Sequence, residues 1–430
     1  MSSSLQVILT RTANQPVNRA IEFIVNAGRV LLESNAEVYR VQDTVQKMGT
    51  ALGIDDLESY VTPAGVFVSY VDDEGNPRTY FRRVSKKGVN LSRISAINHL
   101  SRQVARKEIS LEAAFADLEK IENTPPPYSP LLRLAVISMT AAGSAAIFGG
   151  EWMECGLALV MAFLAFLLID GTKLVAIAYL RELLLGAVGT GLVLAARASI
   201  NFDIGPVVAG VLVSAIPGAF MVNSVRDIIA GDLISGAIRG LESAGLAAAL
   251  FGGAGITLSM VGTQYLSEPV VPQPPIIAVS FFVSALFSIF NHAPKGLVFS
   301  GGVTGMLSAT VLYLAVSNGY TLILGMFWGA IVVAIVSEIL ARIHLVPVTV
   351  FIIGGFMPLL PGIWFFRATI FLFTGNYLDV LEPLMVGFGG IVAVGAGVAI
   401  VTAVMRHWKQ NRWNIRLDWR YWHKRVKRSL

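Results

Sequence analysis

From residue 130 to residue 405 the chain is an almost unbroken succession of apolar segments, and the runs 157–169 and 322–336 contain no ionisable side chain at all. Segments of this kind cannot be kept in water; they need a hydrocarbon layer of about 30 Å around them. Charged residues make up only 14% of the 430 residues, where an ordinary soluble domain carries about 25%. A simple soluble enzyme and a disordered chain are therefore excluded. The fold class read from this is a polytopic α-helical membrane protein with an N-terminal α/β domain.

The apolar character is unevenly spread, and that sets the domains. Residues 1–122 read as a globular α/β domain. A long amphipathic helix is expected over 17–52, with Ile21, Ile24, Leu31, Val38, Val41 and Val45 on one face. Strand-like runs follow at 57–62, 65–71 and 79–84; the last two flank Asp72 to Pro77, a turn composition that predicts a hairpin. Leu91, Ile94, Ile97, Leu100 and Val104 mark a further helix, and Ser110 is the expected N-cap of a short one. Residues 123–130 hold four prolines and form a semi-rigid linker.

Ten spans are expected beyond the linker. Five lie near 131–148, 155–169, 175–195, 204–222 and 243–260, within a first half of 131–266. Five more lie near 276–290, 296–316, 320–343, 348–373 and 384–405, within a second half of 276–405; the second and sixth spans are short. A proline-rich loop, 267–275, joins the halves on the external side. The N-terminus lacks an apolar core long enough for a signal peptide, so the first domain should stay in the cytosol. Lys173, Arg239, Lys295 and Arg342 then fall on the cytosolic side, the opposite loops hold no Lys or Arg, and Arg197 is the exception.

The high isoelectric point belongs to the tail, 406–430, which carries nine Lys/Arg against Asp418 and leaves the rest of the chain at −3 of a total +5. It gives no reason to invoke nucleic acid. Arg412, Arg416, Arg420 and Lys424 alternate there with Trp408, Trp413, Trp419 and Trp422, the pattern of a helix lying on an anionic inner leaflet. A single cysteine, Cys155, rules out an internal disulfide or a thiolate cluster, and five scattered histidines show no metal spacing. No cofactor and no metal are expected. Whether the chain forms a homo-oligomer is left open by its composition.

The halves repeat. A shift of 144 residues superimposes Pro217-Gly218 on Pro361-Gly362, Gly231-Asp232 on Gly375-Asn376, and Gly210, Gly245 and Gly253 on Gly354, Gly389 and Gly397. Five spans is an odd number, so the second half would be inverted relative to the first, as in many secondary transporters. Proline inside a membrane helix removes a hydrogen bond, and the adjacent glycine lets the backbone unwind. Each break is followed by an arginine, Arg226 and Arg367, which near membrane depth needs a cavity, a counter-ion or a substrate. The candidate substrate-binding set is therefore Pro217, Gly218, Asn223, Arg226, Asp227, Pro361, Gly362 and Arg367. Ordinary proline kinks with interfacial arginines are the bland alternative.

Asp170, Lys173, Arg181, Glu182 and Glu338 could each belong to a proton or substrate relay, with Glu182 and Glu338 the candidates for the proton relay; the bland reading sets all five at the wet, cytosolic ends of their helices. In the N-terminal domain Ser34, Glu37, Arg40 and Asp43 lie about one turn apart. No histidine base accompanies them, so Glu37 and Arg40 read as an ordinary surface pair.

The stretch from Ala27 to Val41, then Val61-Thr62-Pro63-Ala64-Gly65-Val66 and Arg83-Val84, resembles the N-terminal domain of the threonine/serine exporter family. Residues 217–232 resemble that family's first membrane half and 356–377 its second; Asn35 stands where the resemblance leads one to expect glycine, and Gln42 where it leads one to expect glutamate. The resemblance covers 17–405 and implies a bacterial inner-membrane exporter, here with both halves fused. The expected function is secondary export of small carboxylate-bearing metabolites driven by proton motive force: threonine and serine first, succinate-like dicarboxylates second. A membrane-anchored hydrolase using the N-terminal domain is the alternative of a different kind. No G-x-x-x-x-G-K-[ST] motif appears, so ATP is not the expected driver.

The charge asymmetry generates a topology test. Reporter fusions after Met260, Ser317 and Leu430 are expected to read outside, outside and inside. An external C-terminus would overturn the inverted arrangement.

Overall fold

A computed structural model of the chain describes residues 15–72, 74–85, 88–172, 177, 179–260 and 276–426, with side chains up to residue 408. The N-terminal segment contains α1 (Gln15–Glu33), α2 (Val38–Ala51), β1 (Glu58–Thr62), β2 (Gly65–Val71), β3 (Pro77–Arg83), α3 (Leu91–Ala105) and α4 (Leu111–Asn123). The single helix expected over 17–52 is two. Asn35 lies at φ 67, in the left-handed region that stops an α-helix, and α2 starts again after Glu37. Asparagine tolerates that conformation best after glycine, which accounts for Asn35 at this position.

The three strands form an antiparallel meander in the order β1-β2-β3. Val71 stands opposite Pro77, and the expected hairpin turn is closed by Asp72, whose carboxylate accepts from the backbone N–H groups of Glu74 and Asn76. Along β2, Val66, Val68 and Tyr70 point inward onto α1, while Phe67 and Val71 face out. Ser110 caps α4 by accepting from Ala113 N, as its position predicts.

The linker leads into α5 (Pro130–Ile147), capped by Ser129 with proline at its first position. There follow α6 (Trp152–Asp170), α7 (Leu180–Arg197), α8 (Ile204–Val213), α9 (Gly218–Ile229), α10 (Leu233–Ser259), α11 (Ile276–Phe290), α12 (Val298–Ser317), α13 (Leu322–His344), α14 (Thr349–Gly355), α15 (Gly362–Phe373) and α16 (Leu381–Val426). Among the described residues, six helices are long and apolar enough to cross a membrane, or up to eight if each of two bent pairs is one span. The bent pairs are α8 with α9, at 59°, and α14 with the helical segment Met357–Phe373 that contains α15, at 45°. They fall on the two segments expected at 204–222 and 348–373; the first bend lies just before Pro217-Gly218, and the second lies at Phe356, five residues before Pro361. The second span, expected to be short, gains its first turn from a capping box between Glu151 and Glu154. No break separates the tenth segment from the tail, because α16 runs on to Val426. The loop 267–275 and Lys173 lie outside the described residues, as do the tail side chains from 409 on.

Helices in a hydrocarbon environment associate through close van der Waals packing, which small residues allow. At Gly253 a Cβ would collide with the backbone of Leu183 on α7; at Gly397 it would stand 2.8 Å from the carbonyl oxygen of Phe327 on α13. The breaks pack against each other in the same way: a Cβ on Gly218 would meet Leu360 and one on Gly362 would meet Ile216.

The N-terminal segment caps one end of this bundle. Leu91 N donates to Asn291 O, Ser92 N and Oγ to His292 O, Tyr128 OH to Ala293 O at 2.9 Å, and Arg102 to Leu345 O. These carbonyls terminate helices α11 and α13, so the segment supplies donors to loop carbonyls that would otherwise be orphaned.

Gly253→Val and Gly397→Val are expected to destabilise the bundle by about 1–3 kcal/mol each. Gly252→Ala, where a Cβ meets nothing, should be neutral or slightly stabilising. Thermal unfolding of the purified protein in detergent checks the contrast.

Candidate functional site

The buried charged residues of the bundle, Glu154 apart, concentrate where the N-terminal segment meets α9. Once the backbone has turned at Pro217, α9 carries Asn223, Arg226 and Asp227 along one face, all buried. The side chain of Arg226 is 1% exposed, and it is met by Glu37, the fully buried residue that begins α2, at 2.7 Å. Arg226 also donates to Asn223 Oδ1 at 3.1 Å, and its second terminal nitrogen lies 3.5 Å from the hydroxyl of Tyr39.

Glu37 reaches both bent helix pairs. The oxygen that takes Arg226 also accepts from Thr349 Oγ1 at 2.8 Å, and Thr349 is the first residue of α14. Arg40 donates to the same Thr349 hydroxyl at 3.2 Å. The other Glu37 oxygen is buried and has no hydrogen-bond donor, with Arg40 Nε standing 3.9 Å away. Burial alone would raise the Glu37 carboxyl, but Arg226 and then Arg40 overcome it and bring it from 4.5 down to about 2. A second ion pair lies alongside: Arg239 stands 3.4 Å from Asp227 Oδ2 and donates to Ala36 O at 2.6 Å. Asn223 completes the seam by donating to Asn35 O at 3.4 Å. The residues 35–37, freed from helix by the left-handed Asn35, are thus threaded into the end of the bundle.

Of the sequence-predicted site residues, the structure brings together Asn223, Arg226 and Asp227, and it packs Pro217-Gly218 and Pro361-Gly362 as reciprocal breaks. Arg367 has different neighbours from Arg226: its guanidinium lies over Trp364 and Phe371 of its own helix, 5.8 and 5.5 Å from their centroids. Glu182 is held by Arg181 at 3.0 Å, and Arg181 also bonds Asp170 at 2.8 Å, joining the ends of α6 and α7. Glu338 stands near the end of α13, 3.9 Å from Arg342. Between α9, α10, α15 and α16 lies a cavity of about 420 Å³, mostly apolar, with Ser224, Ser243 and Thr369 on its wall beside Phe251 and Phe365. Among the described residues no group of three or more His, Cys, Asp or Glu could hold a metal ion.

Sequence reasoning misplaced Glu37. Its i,i+3 spacing to Arg40 suggested a solvated pair, whereas the carboxylate is fully buried against a residue 189 positions away. A signal was present: Arg226 required a counter-charge, and Glu37 sits between Ala36 and Val38, both of which belong to the core. Arg239, read only as a topology marker, is likewise 3% exposed and paired.

A family model described as "Putative threonine/serine exporter" matches residues 22–261, and a second, "Threonine/Serine exporter, ThrE", matches 276–404, so both halves lie on one chain. A protein of Mycobacterium tuberculosis named "Probable threonine/serine exporter" is 24% identical over 89% of this chain and 75% of its own. The "Threonine/serine exporter" of Corynebacterium glutamicum is 22% identical over 93% of this chain and 84% of its own. A Haemophilus influenzae protein is 26% identical over 32% of this chain and 45% of its own. No solved structure matches the chain.

Removing one member of a buried ion pair leaves the other charge uncompensated, at a cost of about 3–5 kcal/mol. Glu37→Gln is therefore expected to lower the unfolding temperature and to expose the α1–α2 connection to protease. Because the folded carboxyl is held below its ordinary value, the pair's contribution is complete above about pH 4.5 and is lost as pH falls toward 2. Protease resistance of that connection should accordingly stay constant from pH 8 to pH 5; a loss within that window would contradict the assignment.

Proposed function

The chain belongs to the threonine/serine exporter family, and from that premise we propose that it exports threonine and serine by rocking two inverted five-helix halves about the paired breaks. The observation that carries this reading is the reciprocal packing of the breaks. Ile216 and Gly218 meet Gly362 and Leu360, which are the same two positions displaced by 144 residues. The glycine contacts repeat with that displacement too: Gly253 on Leu183 and Gly397 on Phe327, Gly245 on Tyr179 and Gly389 on Ile323. Two-fold correspondence of this sort supports ten spans and inverted halves.

In this reading the capped end is cytosolic, in keeping with Arg239, Lys295 and Arg342 beside it. Arg226 is the seat for the substrate's carboxylate, and a planar guanidinium grips both oxygens where lysine offers a point charge. Glu37 fills that seat in the present conformation and ties Arg226 of one half to Thr349 of the other, so the cytosolic side is shut. Asn223 and Asp227 would hold the rest of the substrate, and the 420 Å³ cavity between the halves is the proposed path. Separate surroundings for Arg226 and Arg367 favour a substrate with one carboxylate over a dicarboxylate. Proton motive force is the proposed driver, with Glu338, open to the capped-end cavity, better placed as a relay than Glu182, which is held by Arg181.

Counterflow of labelled threonine into proteoliposomes tests the proposal. Arg226→Lys should cut the rate by about tenfold or more at unchanged protein level, Arg367→Lys should cut it less, and excess succinate should leave wild-type flux unaffected. Absence of threonine counterflow with the wild-type protein would sink the reading.

A further inference from the structure

A cavity of about 490 Å³ separates the N-terminal domain from the second half, bounded by α2, α3, the last turns of α13 and the connection 345–348. Its wall carries charges of both signs. Arg40, Arg102 and Arg342 contribute guanidinium groups, and Glu37 and Glu338 contribute carboxylates; Arg40 stands 3.9 Å from Glu37 and Arg342 3.9 Å from Glu338, and Lys47 and Asp43 also line the cavity as a pair.

Two of these groups are incompletely satisfied. Arg102 donates to the backbone carbonyls of Asn98 and Leu345, and among the described residues no carboxylate pairs with it. Burial, and then the neighbouring Arg106, push its pKa down, as befits a cation without a counter-ion. The second oxygen of Glu37 is the reverse case, a buried acceptor with no hydrogen-bond donor. A buried acceptor without a donor costs free energy until a ligand or another residue meets it, and the half-buried Arg102 remains open to an anion.

We propose that this cavity is the cytosolic loading site of the exporter, and that it holds the amino acid as a zwitterion, with its carboxylate on Arg102 and its ammonium on Glu37 and Glu338. The proposal rests on the exporter reading above. A dianion would satisfy the guanidinium groups but face Glu37 and Glu338; a simple cation would meet the opposite problem. A ligand carrying both charges a short distance apart meets Arg102 and the second oxygen of Glu37 together. Loading is coupled to the bridge between the halves through one side chain. An ammonium drawn to the free oxygen of Glu37 competes for the carboxylate that holds Arg226 and Thr349, and so loosens the closed end as the substrate arrives.

The test is equilibrium binding of labelled L-threonine to the full-length protein in nanodiscs, with counterflow measured on the same preparations. L-Threoninamide, which lacks the carboxylate charge, and 3-hydroxybutyrate, which lacks the amine, should each compete at least about tenfold more weakly than L-threonine, and succinate should not compete. Arg102→Gln and Glu338→Gln should each weaken threonine binding by about tenfold or more, while Arg102→Lys, which keeps the charge and the contact with Leu345, retains most of it. Equal competition by threoninamide and threonine would overturn the zwitterion assignment. Unchanged affinity in both glutamine variants, alongside normal counterflow, would overturn the site and leave the exporter reading standing. Lack of counterflow by a wild-type protein that binds threonine in this charge-dependent way would instead remove the exporter reading and keep the site.

Discussion

A guanidinium that is 1% exposed must have a counter-charge, and Arg226 finds it in Glu37, a residue contributed by a different part of the chain. Several features of the molecule depend on that pairing. The α1–α2 connection has to leave helical geometry to deliver the carboxylate, which explains the left-handed Asn35. The N-terminal segment has to sit squarely over one end of the bundle, which the loop carbonyls of Asn291, His292, Ala293 and Leu345 secure. Thr349 shares the same carboxylate oxygen, so the two bent helix pairs are joined through a single atom of a third element. A buried ion pair adds little net stability compared with apolar packing, but it is costly to break. Such a contact suits an interface with two discrete arrangements better than one that deforms gradually.

The bundle beneath is built on a different principle. Its helices approach through glycines, so that backbone meets backbone at Gly253 and Gly397 and the two Pro-Gly breaks interlock. Proline opens the helical ladder and the neighbouring glycine removes the side chain that would keep the partner break away. The freed backbone lies in protein, against the opposite break, which is where a membrane environment tolerates it. The charged seam and the interlocked breaks are adjacent along α8 and α9, which places the proposed carboxylate seat one helix beyond the proposed hinge.

Much of the architecture is legible in the linear pattern. Apolar run length, alternation in Val66, Val68 and Tyr70, the turn chemistry of Asp72 to Pro77 and the cap at Ser110 are local signals, and the structure agrees with them. Local signals also identified both Pro-Gly breaks and grouped Asn223, Arg226 and Asp227. They failed for Glu37 and Arg239, whose roles depend on partners far away in sequence. An i,i+3 acid–base pair looks the same on a solvated helix as on one whose end is buried against distant parts of the chain. The continuous helix expected over 17–52 failed for a related reason: periodicity averaged over many residues cannot register one asparagine at positive φ.

What the sequence by itself determined is the class of solvent each segment accepts, because transfer of apolar runs and charges between water and lipid is additive along the chain and needs no knowledge of contacts. It determined the positions of the breaks for the same reason, since proline and glycine act on their own backbone. Which charges are buried together was decided only by the tertiary structure. Electrostatic energy in a low-dielectric interior depends on distances of a few ångströms between residues such as Glu37, Arg226 and Thr349, and nothing in their separation along the chain encodes those distances.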